Sequence, residues 1–457
     1  MLLHRRRWLS TAVLSVLPLL GLAHAADHQE IRATRVKAGT TVVAPTCGGE
    51  TMPARKQPLR CGLDVGVSAD TGDATEAIHQ ALRSLAATGS HLFLPAGSYA
   101  IQGALKLPPG AGLVGSLTGQ TRLTSEDPNS AGLVQSGDDG KHNLIEGLHL
   151  YNVRVIAHRA ATVRFNVFRQ TRATDAQLVL SGRGGHVVRG NVFWRETDHP
   201  GEGIDLRSTA SEEPAETRNV IEKNLVGAFS LAEYVDYISD DPEIAKQLKL
   251  DQRTLRIAQR ADQHHSQGSD GARNGTYTIA MRISGNVPAV IMRNRFFVGP
   301  AKGESVPGIG EFMFSSPRHL KLISNSFAGL HRYTSVRVQS PSDTLLRWNS
   351  FDQATLIFET DDSQRPTKRT RVEANNSTGL PIRVDVAVNG AGEDQTTPAD
   401  LRFIDNLSNF SPWRVQADMA CGYQLRPPEV GTQNFEVAWT ERKRFMATRV
   451  CASEVGA

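Results

Sequence analysis

The sequence predicts an all-β chain: a single-stranded right-handed parallel β-helix of about ten coils, with a helical N-terminal cap and a helical insertion. Three observations predict it. A phrase built on Asn recurs along the chain, short alternating runs lie between its copies, and one segment breaks this rhythm with helical spacing.

The Asn phrase reads VRFNVF (163–168), VVRGNVF (187–193), VIEKNLV (220–226), IMRNRFF (291–297), LISNSF (322–327), LRWNSF (346–351), VEANNS (372–377) and FIDNLS (403–408). Its asparagines are Asn166, Asn191, Asn224, Asn294, Asn325, Asn349, Asn375 and Asn406, mostly 24 to 33 residues apart, and the long step from Asn224 to Asn294 marks an insertion. The second phrase reads LVLSG (178–182), GIDLRS (203–208), IAMRISG (279–285), EFMFSS (311–316), SVRVQS (335–340), TLIFET (355–360) and IRVDVAV (382–388). Alternation bounded by Gly, Ser, Asn and Pro reads as strands. Such a unit cannot bury an apolar face alone, but stacked copies can. A buried Asn at one turn of each coil can then hydrogen-bond the backbone of its neighbours. The Phe two residues later points into the core, and ladders of this kind suit in-register parallel strands. The Asn-x-Phe phrase is therefore structural.

Residues 1–25 hold Arg5, Arg6 and Arg7, an apolar run from Trp8 to Leu22 and the small-x-small site Ala23-His24-Ala25. This reads as a secretory signal cut before Ala26, with a periplasmic or secreted product and no membrane span. Three leader arginines account for all but +1 of the formal +4, so net charge gives no support to a nucleic-acid partner. The four cysteines form no C-x-x-C and no zinc spacing. In an exported chain they read as two local disulfides, Cys47–Cys61 and Cys421–Cys451. The resulting organisation is an N-terminal segment at 26–70 with the first clamp, the solenoid at 71–410 with its insertion at 228–275, and a C-terminal cap at 411–457 with the second clamp.

The segment GDATEAIHQALRSLAATGSHLFLPAGSYAI (72–101) resembles the opening module of pectate-lyase-like β-helix proteins, where a helix caps the solenoid and a strand starts it. The Ile-x-x-Asn-x-Phe phrases resemble repeats of carbohydrate-binding and sugar-hydrolysing β-helix proteins. Together the resemblances span roughly residues 60 to 410 and imply the fold. The Asn-Thr-Asp, Gly-His-Gly and Arg-Ile-Lys motifs of polygalacturonases are absent, as are the Asp-Pro-His-Asp of alginate epimerases and the Arg-x-Pro-x-x-Arg of pectate lyases. The resemblance therefore assigns no catalytic residue.

The alternation of the second phrase does point to a surface. With Ile204 and Leu206 facing the core, Asp205 and Arg207 face solvent, as do Arg282, Glu311 and Arg337 in later copies. Arg207, Arg282 and Arg337 are expected near one line, where guanidinium forks can grip carboxylates. The insertion, with helical spacing at Leu231, Tyr234, Val235 and Ile238 and a second start at Asp241-Pro242-Glu243, is expected beside the coils bearing Arg207 and Arg282. A cap over an apolar side patch is the alternative.

An acidic, uronate-containing polysaccharide is the expected partner, and β-elimination or C5 epimerisation the expected reaction. Arg207, Arg282 and Arg337 would neutralise the uronate carboxylate. His331 and Tyr333 would supply acid and base. No cofactor is required, although calcium held by Asp205, Glu202 or Glu311 is an alternative neutraliser. The alternatives in function are an inverting hydrolase using Asp205 and Glu311, placed about 9.6 Å apart by strand spacing, and a non-catalytic polysaccharide-binding or export module. His264 and His265 read as a solvated pair rather than metal ligands.

Overall fold

The computed structural model describes residues 45–451 with breaks, the longest at 208–217, 249–278, 299–310, 387–398 and 427–442. Parallel strands stack as three walls, and each turn of chain contributes one strand to each wall. The first wall runs from Leu59–Cys61 through His91–Leu94, Gly112–Gly115, Asn143–Glu146, Ala161–Arg164 and their successors to Ala399–Ser408. The second runs from Gly97–Ala100 through Thr121–Thr124, Leu148–Tyr151 and Val167–Gln170 to Asn376–Thr378. The third has eleven strands, from Ala104–Leu107 to Arg414–Ala417. This is the parallel β-helix that the repeat predicts.

One tight turn joins the first wall to the second, and the asparagines occupy it. Asn191 is fully buried. Its side-chain amide donates to the Val163 carbonyl at 2.8 Å and to Asn224 Oδ1 at 3.0 Å, while its Oδ1 accepts the Asn166 N–H at 3.0 Å. The same exchange links Asn224 to Asn294, Asn294 to Asn325, Asn325 to Asn349, and Asn349 to Asn375. At the N-terminal end Leu148 replaces Asn, and its N–H donates to Asn166 Oδ1 at 3.0 Å. The residue before each Asn from Asn166 to Asn375 is left-handed: Gly190 has φ 63°, and Phe165, Lys223, Arg293, Ser324, Trp348 and Ala374 have φ between 50° and 57°. A side chain there costs about 1–2 kcal/mol, which the ladder's buried hydrogen bonds offset.

Two residues past Asn166, Asn191, Asn294, Asn325 and Asn349, a Phe ring enters the core. Phe168 stacks on Phe193 at 4.5 Å, and Phe327 lies between Phe296 at 5.1 Å and Phe351 at 5.2 Å. The helix α1 (Thr75–Ala86) closes one end by burying Ile78, Ala81, Leu82 and Leu85 in the same core as Leu92, Leu94 and Leu105. Asp73 starts it, accepting the Thr75 N–H at 3.0 Å.

The disulfide joins Cys47 to Cys61 as expected, across 14 residues, and both are buried with Met52, Phe93 and Val114. Cross-linking a loop of this length stabilises by about 3 kcal/mol. Replacing both cysteines with Ala should lower stability by that amount in thermal unfolding. Wild type that unfolds at one temperature with and without reductant would contradict it. At the other end, the antiparallel strands Cys421–Arg426 and Lys443–Cys451 bring Cys421 into register with Cys451.

The insertion forms α2 (Leu231–Ser239) and α3 (Pro242–Leu248). Asp241 begins α3, with Oδ1 accepting the Glu243 N–H at 2.9 Å and Pro242 at the first helical position. The two helices lie beside the coils bearing Arg207 and Arg282, but on a different wall from those arginines. They cover the second wall, where Phe229, Tyr234, Tyr237, Ile238, Ile244 and Leu248 bury Phe165, Val167, Val192 and Leu225. The cause is in the repeat: the residue after Asn is apolar at Val167, Val192 and Leu225 but polar at Arg295, Ser326, Ser350 and Asn376. Charges rim this patch, with Arg295 on Asp236 at 2.7 Å and Arg189 on Glu243 at 2.5 Å. These two helices thus cap an apolar side patch, and residues 249–278 lie outside the described residues.

Candidate functional site

The outer face of the third wall carries the charged residues singled out by sequence. Register fixes their order. Along one line lie Val179, Asp205, Arg282, position 313, Arg337, position 357 and position 383. Along the neighbouring line lie Ser181, Arg207, Ser284, position 315 and Gln339. Arg282 and Arg337 therefore share a line, two strands or about 9.6 Å apart. Arg207 does not join them. It stands two residues further along its strand, and Asp205 takes the place beside Arg282.

Asp205 also departs from expectation in burial. It is 0% exposed, although its neighbours Ile204 and Leu206 do point into the core. The Arg207 guanidinium folds back onto Asp205 Oδ2, covering it, while Arg207 itself stays 55% exposed. Asp205 Oδ1 is buried without a hydrogen-bond partner. A carboxylate oxygen in that state is costly, so this position holds a group poised to accept a bond. Next along the wall, Arg282 Nη2 pairs with Glu202 Oε1 at 2.6 Å, and both are about a quarter exposed. Both carboxylates described here thus face guanidinium groups. Among the described residues no cluster of three His, Cys, Asp or Glu side chains could hold a metal ion.

Glu311 lies in the strand Glu311–Ser315, opposite Ile279, which is itself opposite Glu202. It stands two strands from Asp205 and two residues before position 313, which occupies the Asp205 line. A register break between Ile279 and Met281, which the sequence did not reveal, sets Glu311 opposite Ile279.

His331 and Tyr333, like His264 and His265, lie outside the described residues. The strand that follows, Thr334–Gln339, carries Arg337.

A histidine that sequence reasoning passed over does reach this face. His158 is exposed at the end of the strand Arg154–Ala157, and its Nδ1 lies 2.8 Å from Ser181 Oγ. Ser181 is in register with Arg207. Glycine permits the approach: Gly182 has φ 90°, and a Cβ there would sit 1.8 Å from the His158 carbonyl oxygen. Beneath them His186 Nε2 bonds the Ser181 carbonyl at 3.0 Å, and burial pushes its pKa down to about 4, so it is neutral and structural. The pairing of His158 with a serine 23 residues away was legible only once coils were stacked.

No family model matches the chain, and no curated protein matches it. Solved structures do resemble it. The A-module of the mannuronan C-5 epimerase AlgE4 from Azotobacter vinelandii is 15% identical, covering 76% of this chain and 94% of that one, with a TM-score of 0.36. The Streptococcus pneumoniae surface adhesin PfbA is 11% identical, covering 77% and 90%, with a TM-score of 0.34. The Agl-KA catalytic domain is 10% identical, covering 77% and 68%, with a TM-score of 0.41. The likeness is one of parallel β-helix fold.

Proposed function

We propose that the outer face of the third wall binds an acidic, uronate-containing polysaccharide and acts on it by β-elimination or C5 epimerisation. One observation carries this reading: Arg282 and Arg337 stand on one register line at a two-strand interval, beside a buried Asp205 whose Oδ1 lacks a partner. An extended polyanion laid along the solenoid meets a guanidinium at each interval. Removing a C5 proton requires the sugar carboxylate to be neutralised, and a fork that binds both of its oxygens does so without a metal. A base then takes the proton, and an acid protonates the leaving oxygen or returns the proton from the other face. His158 stands at the edge of this face for one of these roles. His331 and Tyr333, just before the Arg337 strand, are assigned the others. Arg207 supports the site by holding Asp205. The Cys47–Cys61 disulfide fits an oxidising, extracytoplasmic setting.

Titration of an acidic oligosaccharide tests the reading. Arg282→Ala should weaken binding about 10- to 100-fold, the worth of a charge-assisted hydrogen bond. Arg282→Lys should fall between, because charge persists while the fork is lost. Binding should weaken as salt rises, since exposed charges are screened over about 10 Å at 0.1 M. Wild-type affinity in folded Arg207→Ala, Arg282→Ala and Arg337→Ala would place the site elsewhere. A panel of uronate polymers separates the chemistry. New C4–C5 double bonds absorb after elimination, an altered uronate composition marks epimerisation, and binding without product marks a non-catalytic module.

A further inference from the structure

A second chemistry is built where three strands of the third wall end. Arg154–Ala157, Leu178–Ser181 and Glu202–Arg207 are neighbours in register, so His158, Ser181 and Arg207 take equivalent places on successive coils, about 4.8 Å apart. Serine is the short residue between two long ones, so the line is notched at its hydroxyl. Ser181 is 7% exposed, His158 is exposed and Arg207 is 55% exposed.

A buried group holds each of the three in place. Gln135 Oε1 accepts the His158 N–H at 2.9 Å and the Arg159 N–H at 2.8 Å. His186, fully buried, bonds the Ser181 carbonyl at 3.0 Å. Asp205, also fully buried, holds the Arg207 guanidinium. His158 Nδ1 lies 2.8 Å from Ser181 Oγ, the reach that a general base needs of its nucleophile. With the ring proton on Nε2, Nδ1 accepts the hydroxyl proton. A Ser–His bond alone is ordinary in a turn. Here a guanidinium stands in register on the far side of the serine, and a fixed cation beside a nucleophile stabilises the charge that grows on an attacked carbonyl oxygen. Base, nucleophile and cation thus follow one another on three coils.

We propose that His158, Ser181 and Arg207 form an acyl-transfer site that hydrolyses O-acyl esters borne by the polysaccharide. Ser181 Oγ bonds to the acyl carbon while its proton passes to His158 Nδ1, and the carbonyl electron pair moves onto the oxygen that faces Arg207. Collapse of this intermediate breaks the ester C–O bond, and the proton on Nδ1 goes to the departing sugar hydroxyl. Water then attacks the acyl-serine by the same route, so that ester and water give a carboxylic acid and an alcohol. The acyl chemistry follows from these residues alone. That the ester sits on a polysaccharide rests on the reading of the third wall.

Hydrolysis of p-nitrophenyl acetate by the full-length protein tests the site without any polymer. Wild type should release p-nitrophenol, and a fluorophosphonate probe should attach to Ser181 in peptide mass spectra. Ser181→Ala should lose both the label and the activity with unchanged thermal unfolding. His158→Gln should slow hydrolysis about 100-fold or more, the usual worth of a general base. Arg207→Lys keeps a cation on Asp205 but loses the fork, and should slow hydrolysis roughly 10-fold. An O-acetylated uronan should release acetate with wild type and not with Ser181→Ala. No hydrolysis of the small ester by wild type above the buffer rate overturns the proposal, even if the polymer binds. So does a wild-type rate in folded Ser181→Ala, or a label found only on another residue. Cleavage of the small ester through Ser181 with no acetate released from the uronan overturns the polymer as carrier of the ester.

Discussion

Asn294→Ala should cost about 3–4 kcal/mol of stability, read from the shift of a urea unfolding transition, while each folded molecule keeps wild-type binding. Asn294 is 1% exposed and serves both neighbours. Its Oδ1 accepts the Asn224 N–H and the Asn224 amide, each at 2.9 Å. Its own amide donates to the Ile221 carbonyl at 2.9 Å and to Asn325 Oδ1 at 3.0 Å. Alanine leaves a buried N–H and a buried carbonyl without partners, and each such group costs about 1–3 kcal/mol. The two losses share one network, so they do not add fully. An unshifted transition, or a stable variant that no longer binds substrate, would overturn the structural role of the ladder.

The second large effect is expected at Phe327. The ring is fully buried and stacked on both sides, at interplanar angles of 10° and 5°. Truncating a buried Phe to Ala costs about 3–5 kcal/mol from lost transfer energy and the remaining cavity. Phe327→Leu keeps most of the volume but breaks two ring pairs worth about 0.5–1.5 kcal/mol each, so it should fall between Ala and wild type in the same unfolding measurement. A cost below about 1 kcal/mol for Ala would mean that the column of rings collapses freely around the gap.

The fold was legible because its signals are local and repeated. Asn191 and Phe193 announce a turn and a core position within three residues, four further phrases repeat both residues, and three more repeat the Asn alone. Gly190 before Asn191 carries the glycine signature of a left-handed residue, but Phe165, Lys223, Arg293 and Trp348 do not, so the shared turn conformation was not legible. Their conformation is imposed by the ladder, not by local preference. The candidate site depended on register, which alternation cannot supply. Asp205 and Arg207 do alternate outward, yet Arg207 folds back and buries Asp205. Position 313, not Glu311, continues the line of Asp205 and Arg282, and one break between Ile279 and Met281 sets Glu311 opposite Ile279. Glu146 sat in a strand with no hint that Arg55 would reach it. The placement of the insertion was readable in principle, from Val167, Val192 and Leu225 at a position that is polar in later coils.

The ladder also has a direction. Each Asn oxygen serves the backbone N–H of the coil before it: Asn191 serves Asn166, Asn224 serves Asn191, and Asn294 serves Asn224. A coil therefore finishes its own turn only when the following coil arrives. Chain emerging N-terminus first would add coils in the order in which they complete their predecessors, each new turn docking onto a waiting donor. The solenoid grows like a zipper with one free end, and that end always faces the C-terminus.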